Sequence, residues 1–126
     1  GTKRLMHLVP SLFPETDPEA VFFIDELDRS LHPNLCYHFV ETFLKQSVNT
    51  QKQLIITTHE SNLLDQDLLR RDEIWFVEKD AEKRSHLYSL VDFQPRKDLD
   101  LKKNYLRGRF GAIPFFSTLE NPTDEQ

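Results

Sequence analysis

The chain has 126 residues, of which 38% are apolar and 29% charged, with a net charge of −5, the size of one ordinary domain that can bury its own core without a metal or disulfide staple. A lone cysteine, Cys36, rules out a disulfide framework and points to a reducing, cytoplasmic setting. The longest apolar runs, Ala20 to Ile24 and Leu54 to Ile56, fall far short of the roughly 20 residues that span a bilayer, and the opening residues lack a signal-peptide core, so neither membrane insertion nor secretion is expected.

Thr2 is placed to cap a helix over about 2–12, in which Leu5, Leu8, Val9 and Leu12 recur at helical spacing before Pro14 and an acidic turn. Ala20 to Ile24 is a continuous apolar run of strand length that ends abruptly in acid, the pattern of a strand buried on both faces of a parallel sheet. After Pro33, the spacing of Leu35, Phe39, Val40, Phe43, Leu44 and Val48 predicts a helix over about 34–48, ended by Asn49 and Thr50. A second β-branched strand follows at 53–57, and a helix between two such strands makes a βαβ unit with parallel pairing. A short helix over Asp65 to Arg71 leads to a third parallel strand at 73–78, and a charged connection then returns as a hairpin strand at 86–91. The last predicted helix covers 99–107, is broken by Gly108 and Gly111, and is followed by a tail with the composition of a frayed terminus.

Charge is uneven along the chain. Between Pro95 and Gly111 the residues Arg96, Lys97, Lys102, Lys103, Arg107 and Arg109 outweigh Asp98 and Asp100 to leave +4, so the remainder carries −9. A solvated helix face is the plainer reading of this basic run, with nucleic-acid phosphate contact as the alternative. Tyr105, Phe110, Phe115 and Phe116 read as core or interface fillers before stacking platforms. Cys36 reads as a small buried hydrophobe.

Chemistry concentrates in two places. Val21-Phe-Phe-Ile-Asp25-Glu26 puts adjacent carboxylates at the carboxyl edge of a parallel sheet, where open α/β folds bind their ligands. One acid can hold Mg²⁺ through water while the other orients or deprotonates an attacking water. Leu54-Ile-Ile-Thr-Thr-His59 brings a histidine to the same edge if the two strands are neighbours, able to contact a phosphate or polarise water. The plain alternatives are a strand that ends in solvated acids and a loop histidine. With only three glycines, the chain has no phosphate-cradling loop of the G-x-x-x-x-G-K-S/T kind.

The order of these parts, four apolar residues and Asp25-Glu26, then Ser30-Leu31-His32-Pro33, then Thr57-Thr58-His59, resembles the Walker B motif, D-loop and switch histidine of ABC-type ATPases, the superfamily of SMC and RecF proteins. Asp-Glu-Leu-Asp-x-Ser-Leu-His-Pro is most similar to bacterial AAA-family, RecF-like ATPases of phage-defence and abortive-infection systems. Gly1-Thr2-Lys3-Arg4-Leu5 resembles the end of that group's signature loop, and Arg70 to Lys79 and Gly108 to Pro114 resemble further segments of it. The resemblance implies that Asp25 is the magnesium-side carboxylate and Glu26 the catalytic glutamate, with His59 as the switch. It also implies that Gly1, Thr2, Ser30, Leu31 and His32 touch nucleotide, although the transporter-type D-loop has Asp where this chain has His32. The fold it implies is an α/β, partial P-loop NTPase domain over 1–116 with an antiparallel hairpin edge and a tail at 117–126, lacking the Walker A half. ATP and Mg²⁺ would then be the cofactors of an intact homodimer, with the Walker A segment as partner and a nucleic acid or effector protein as a further one. Two other classes stay open: a metal-dependent nuclease or phosphoesterase built on Asp25, Glu26, Asp28 and His59, and a non-enzymatic interaction module.

Overall fold

The computed structural model describes residues 2–12, 17–96 and 98–112. Its first element, α1 (Thr2–Leu8), includes Thr2 as its first residue and gives way at Val9–Leu12 to a 3₁₀ turn. Pro10 accounts for the change, since it has no N–H for an α-helical bond and disfavours helical backbone at the residue before it. The buried Ser11 hydroxyl donates to the Leu8 carbonyl (2.6 Å), closing that turn.

Strand β1 (Val21–Ile24) and strand β2 (Gln53–Ile56) pair in parallel, Val21 opposite Gln53 and Ile24 opposite Ile56. Between them runs α2 (Pro33–Gln46), with Pro33 in the first turn and His32 as N-cap, its Nδ1 accepting from the Asn34 N–H (3.2 Å). The βαβ unit is therefore formed. Its helix ends earlier than the periodicity predicts: Ser47 leaves helical geometry and Thr50 bonds back to its carbonyl, so Val48 is exposed. Leu35 is exposed as well, and Cys36 takes the inward position with Phe39, Val40 and Phe43. Burial holds the Cys36 thiol above its ordinary pKa, as suits a packing residue.

The parallel pair is covered on one face. Ile24, Leu54 and Ile56 pack with Leu8, Leu27, Phe39 and Val40, and Phe22 meets Phe43 edge to face at 6.1 Å. Among the described residues nothing covers the opposite face, where Val21, Phe23 and Ile55 are 58%, 68% and 46% exposed. This corrects the expectation of burial on both sides. Alternation along each strand leaves every second apolar side chain without a layer to pack against.

The third strand is also placed differently. Strand β3 (Trp75–Lys79) pairs antiparallel with β4 (Ser85–Ser89) in a sheet of its own, separate from the parallel pair. Residues 57–74 contain only 3₁₀ turns and no crossover helix to carry β3 back beside β2. The helix expected at 65–71 is replaced because the Asp65 carboxylate accepts the Asp67 N–H (2.9 Å) and makes a local turn. Arg70 and Glu73 then start a new 3₁₀ turn at Arg71–Glu73. The hairpin is pinned locally, as Asp80 accepts from both the Arg84 N–H (2.8 Å) and its Nε (2.7 Å).

Beside this hairpin lies a second core of Ile74, Phe76, Leu90, Leu101 and Phe110. The Phe76 ring stacks on Tyr105 and on Phe110, at 5.8 and 5.6 Å, so Tyr105 and Phe110 are core residues. Helix α3 (Leu101–Leu106), shorter than predicted, is capped by the Asp100 carboxylate accepting from the Lys103 N–H (2.8 Å). Lys102 and Lys103 on this helix and Arg107 and Arg109 in the turn after it are exposed, and Lys97 lies outside the described residues. Leu69 packs against both clusters and joins the two parts. Gly1, Phe115, Phe116 and the tail expected at 117–126 lie outside the described residues. No helix among the described residues is long and apolar enough to cross a membrane.

Candidate functional site

The parallel ladder does not stop at the ends of β1 and β2. Thr57 N–H donates to the Ile24 carbonyl (3.0 Å), as regular pairing requires, but the return bond to the Thr57 carbonyl comes from Leu27 (2.9 Å) instead of Glu26. One extra residue thus stands opposite Thr57, which is a β-bulge. Glu26 adopts φ 50° there, in the left-handed region that non-glycine residues seldom occupy. Its displaced N–H donates to the Thr57 hydroxyl (2.8 Å), and that hydroxyl donates in turn to Asp25 Oδ1 (2.5 Å). One threonine therefore orders both carboxylate residues. Simple strand alternation, which would point the two acids to opposite faces, does not describe this edge.

Past the bulge, Leu27 is fully buried and anchors the turn in the core. Asp28 then reaches across to the segment after β2, where its Oδ1 accepts from the Thr58 hydroxyl (2.6 Å) and from the His59 N–H (3.1 Å). Burial raises the affinity of the Asp28 carboxyl for its proton, but these two hydrogen bonds and the nearby His59 ring outweigh it, so the group lies below the usual carboxylate range. Arg29 Nη1 approaches Glu26 Oε2 at 3.4 Å across an exposed surface. Glu26, Asp28, Arg29 and His59 line one open cavity of about 410 Å³.

The sequence-predicted residues divide accordingly. Asp25, Glu26 and His59 come to the same edge of the parallel pair, and all three are exposed. Ser30 is exposed with φ 65° and Leu31 packs on the first core. His32 is exposed, its ring occupied in capping α2. Thr2 begins α1, remote in sequence from this edge, and Gly1 is outside the described residues. Sequence reasoning quoted Thr57, Thr58 and Asp28 within motifs but gave no role to Thr57, Thr58 or Arg29, and it gave Asp28 one only in the metal-dependent alternative. The available signal was two hydroxyl residues at the end of one strand, with Asp28 three positions past Asp25 at the end of the other.

The donor set suits a hard cation in part. Two exposed carboxylates at a sheet edge match the oxygen ligands and retained waters that Mg²⁺ prefers. Among the described residues no three His, Cys, Asp or Glu side chains converge to enclose a metal ion. One strand of the parallel pair runs into Asp-Glu and its neighbour into Thr-Thr-His, and a family match to this segment makes the chain an ATPase-like α/β protein. The family model "AAA domain, putative AbiEii toxin, Type IV TA system" matches residues 1–65. The match spans just over half of the chain and contains every residue of the bulged edge, and the chain belongs to this AAA family. Membership implies use of a nucleotide, usually with Mg²⁺. No curated protein and no solved structure matches the chain.

Proposed function

We propose that residues 1–116 are the carboxylate and switch-histidine half of an ABC-type, RecF-like ATPase domain, acting together with a segment that brings the Walker A loop. One observation carries this reading: Glu26 and His59, just past the ends of different strands, line one cavity, and Thr57 and Asp28 tie the two strand ends together. The exposed apolar face of Val21, Phe23 and Ile55 supports a half-domain that packs against further sequence. When bound, Mg-ATP supplies the phosphoryl group and the neutralising cation.

In this reading Asp25 would hold Mg²⁺. Glu26 orients an attacking water and accepts its proton, a task that suits an exposed carboxylate set at the cavity rim by the bulge. His59 offers a ring nitrogen to a phosphate oxygen on the same rim. Ser30, Leu31 and His32 form the turn that meets a second copy in a homodimer, and nucleic acid or an effector protein is the further partner. The nuclease reading has less support, since it calls for several metal-binding side chains gathered in one place. The test is turnover in the ATP-binding protein that contains this chain. Glu26→Gln keeps nucleotide binding and lowers the rate by about 10² to 10⁴, the usual loss on removing a general base. His59→Ala lowers it by about tenfold or more. Near-normal phosphate release by Glu26→Gln removes that residue from the mechanism.

A further inference from the structure

We infer that Asp28 is a positioning residue that sets His59 relative to Glu26. This rests on the proposed role of His59 and adds to it a residue that acts without touching nucleotide.

The geometry is specific. Asp28 lies in the turn that leaves the Glu26 bulge, and the burial of Leu27 just before it fixes where that turn starts. Its Oδ1 accepts both the Thr58 hydroxyl and the His59 N–H, from residues 30 and 31 positions away. The bonding continues outward. Thr58 Oγ1 accepts the Glu60 N–H (3.0 Å), and Glu60 Oε1 accepts the Asn62 N–H (2.8 Å), which caps the 3₁₀ turn Ser61–Leu63. Residues 58–63 are thus linked by hydrogen bonds, Leu63 at their end packs in the same cluster as Leu27, and at the His59 end two hydrogen bonds to the glutamate turn meet at one carboxylate oxygen. The segment after β2 has no regular ladder of its own beyond Thr57. Backbone and hydroxyl donors on a charged acceptor make the stronger kind of hydrogen bond, so this oxygen controls where the His59 backbone sits.

The two functions of a carboxylate can be separated here. Asn at this position keeps a side-chain carbonyl that accepts both bonds but carries no charge, whereas Ala removes the acceptor. A residue that works by positioning survives the first change and not the second. A residue that binds metal directly fails with both.

The experiment compares Asp28→Ala, Asp28→Asn and His59→Ala in the ATP-binding protein containing this chain, reading His59 amide hydrogen exchange and steady-state ATP turnover. In Asp28→Ala the His59 amide exchanges about tenfold faster or more, and kcat falls about tenfold while KM stays within about twofold. Asp28→Asn restores both quantities to within about threefold of the parent. Unchanged His59 exchange in Asp28→Ala overturns the proposal, as does an Asn variant as impaired as the Ala variant. If exchange accelerates and neither Asp28→Ala nor His59→Ala alters turnover, the tether stands and the assigned role of His59 fails. If His59→Ala is impaired while Asp28→Ala, with fast exchange, turns over normally, the positioning role is refuted.

Discussion

Thr57→Val replaces a hydroxyl by a methyl at almost constant shape, and the hydroxyl makes two bonds that define the bulge. It accepts the Glu26 N–H at 2.8 Å and donates to Asp25 Oδ1 at 2.5 Å. A neutral bond contributes about 1 kcal/mol and one to a carboxylate about 1.5–3 kcal/mol. Thr57, Asp25 and Glu26 are all exposed, so water replaces much of what is lost. Valine's strand preference offsets a few tenths of a kcal/mol more. The net loss is about 1–2 kcal/mol, equal to a fall in Tm of about 4–10 °C for a domain of this size. Urea denaturation measures the energy, and the Glu26 amide resonance reports the local geometry. Thr57→Ser, which keeps the hydroxyl, retains most of the stability. A loss under about 0.3 kcal/mol with an unmoved Glu26 resonance would refute the claim that this hydroxyl holds the bulge.

Three further outcomes are expected. Gly111→Ala meets a backbone at φ 69° and sets a Cβ 2.6 Å from both Glu78 Oε2 and the Tyr88 hydroxyl. It breaks the bonds of Glu78 to Tyr88 and to the Ala112 N–H and costs about 2–4 kcal/mol by chemical denaturation, so a cost below about 1 kcal/mol contradicts the packing. The hairpin loosens in acid, because His86, aided by Arg84, depresses the Asp80 carboxyl from 3.8 to about 2. A depressed carboxylate contributes stability above its unfolded pKa, and that contribution is lost as pH falls from about 4 through 2. Amide shifts of Lys79 and Ser85 follow the change, and Asp80→Asn abolishes that acid-dependent step. Finally, calorimetry of this chain alone with Mg-ATP gives no binding below the millimolar range, since no glycine-rich loop cradles the phosphates. A micromolar dissociation constant overturns the half-domain reading.

Local pattern carried a large part of the fold. The apolar run at Val21–Ile24, Pro33 at a helix start, the periodicity of Phe39, Val40 and Phe43 and the β-branched run at 53–57 were enough to define β1, α2 and β2 and their parallel pairing. The elements depend on neighbours a few residues apart, which residue order alone states, and the parallel pairing follows from the general rule for a helix between two strands. The adjacent acids at the end of β1 and His59 past the end of β2 were legible for the same reason.

The tertiary structure alone decided where those groups point and what holds them. The bonds from Thr57 to Asp25 and Glu26, and from Thr58 and His59 to Asp28, join residues 30 to 32 positions apart. No period of 2 or 3.6 registers a contact at that distance, and a hydroxyl that displaces a backbone bond looks in sequence like any threonine in a strand. The same limit governed β3. Its apolar run from Ile74 to Val77 was plain, but such a run is indifferent to the partner strand, and the turns between Glu60 and Glu73 set the hairpin in a sheet apart from the parallel pair. Side-chain period determines which residues form a strand, whereas the bonds made by the connecting turns determine which edge that strand reaches.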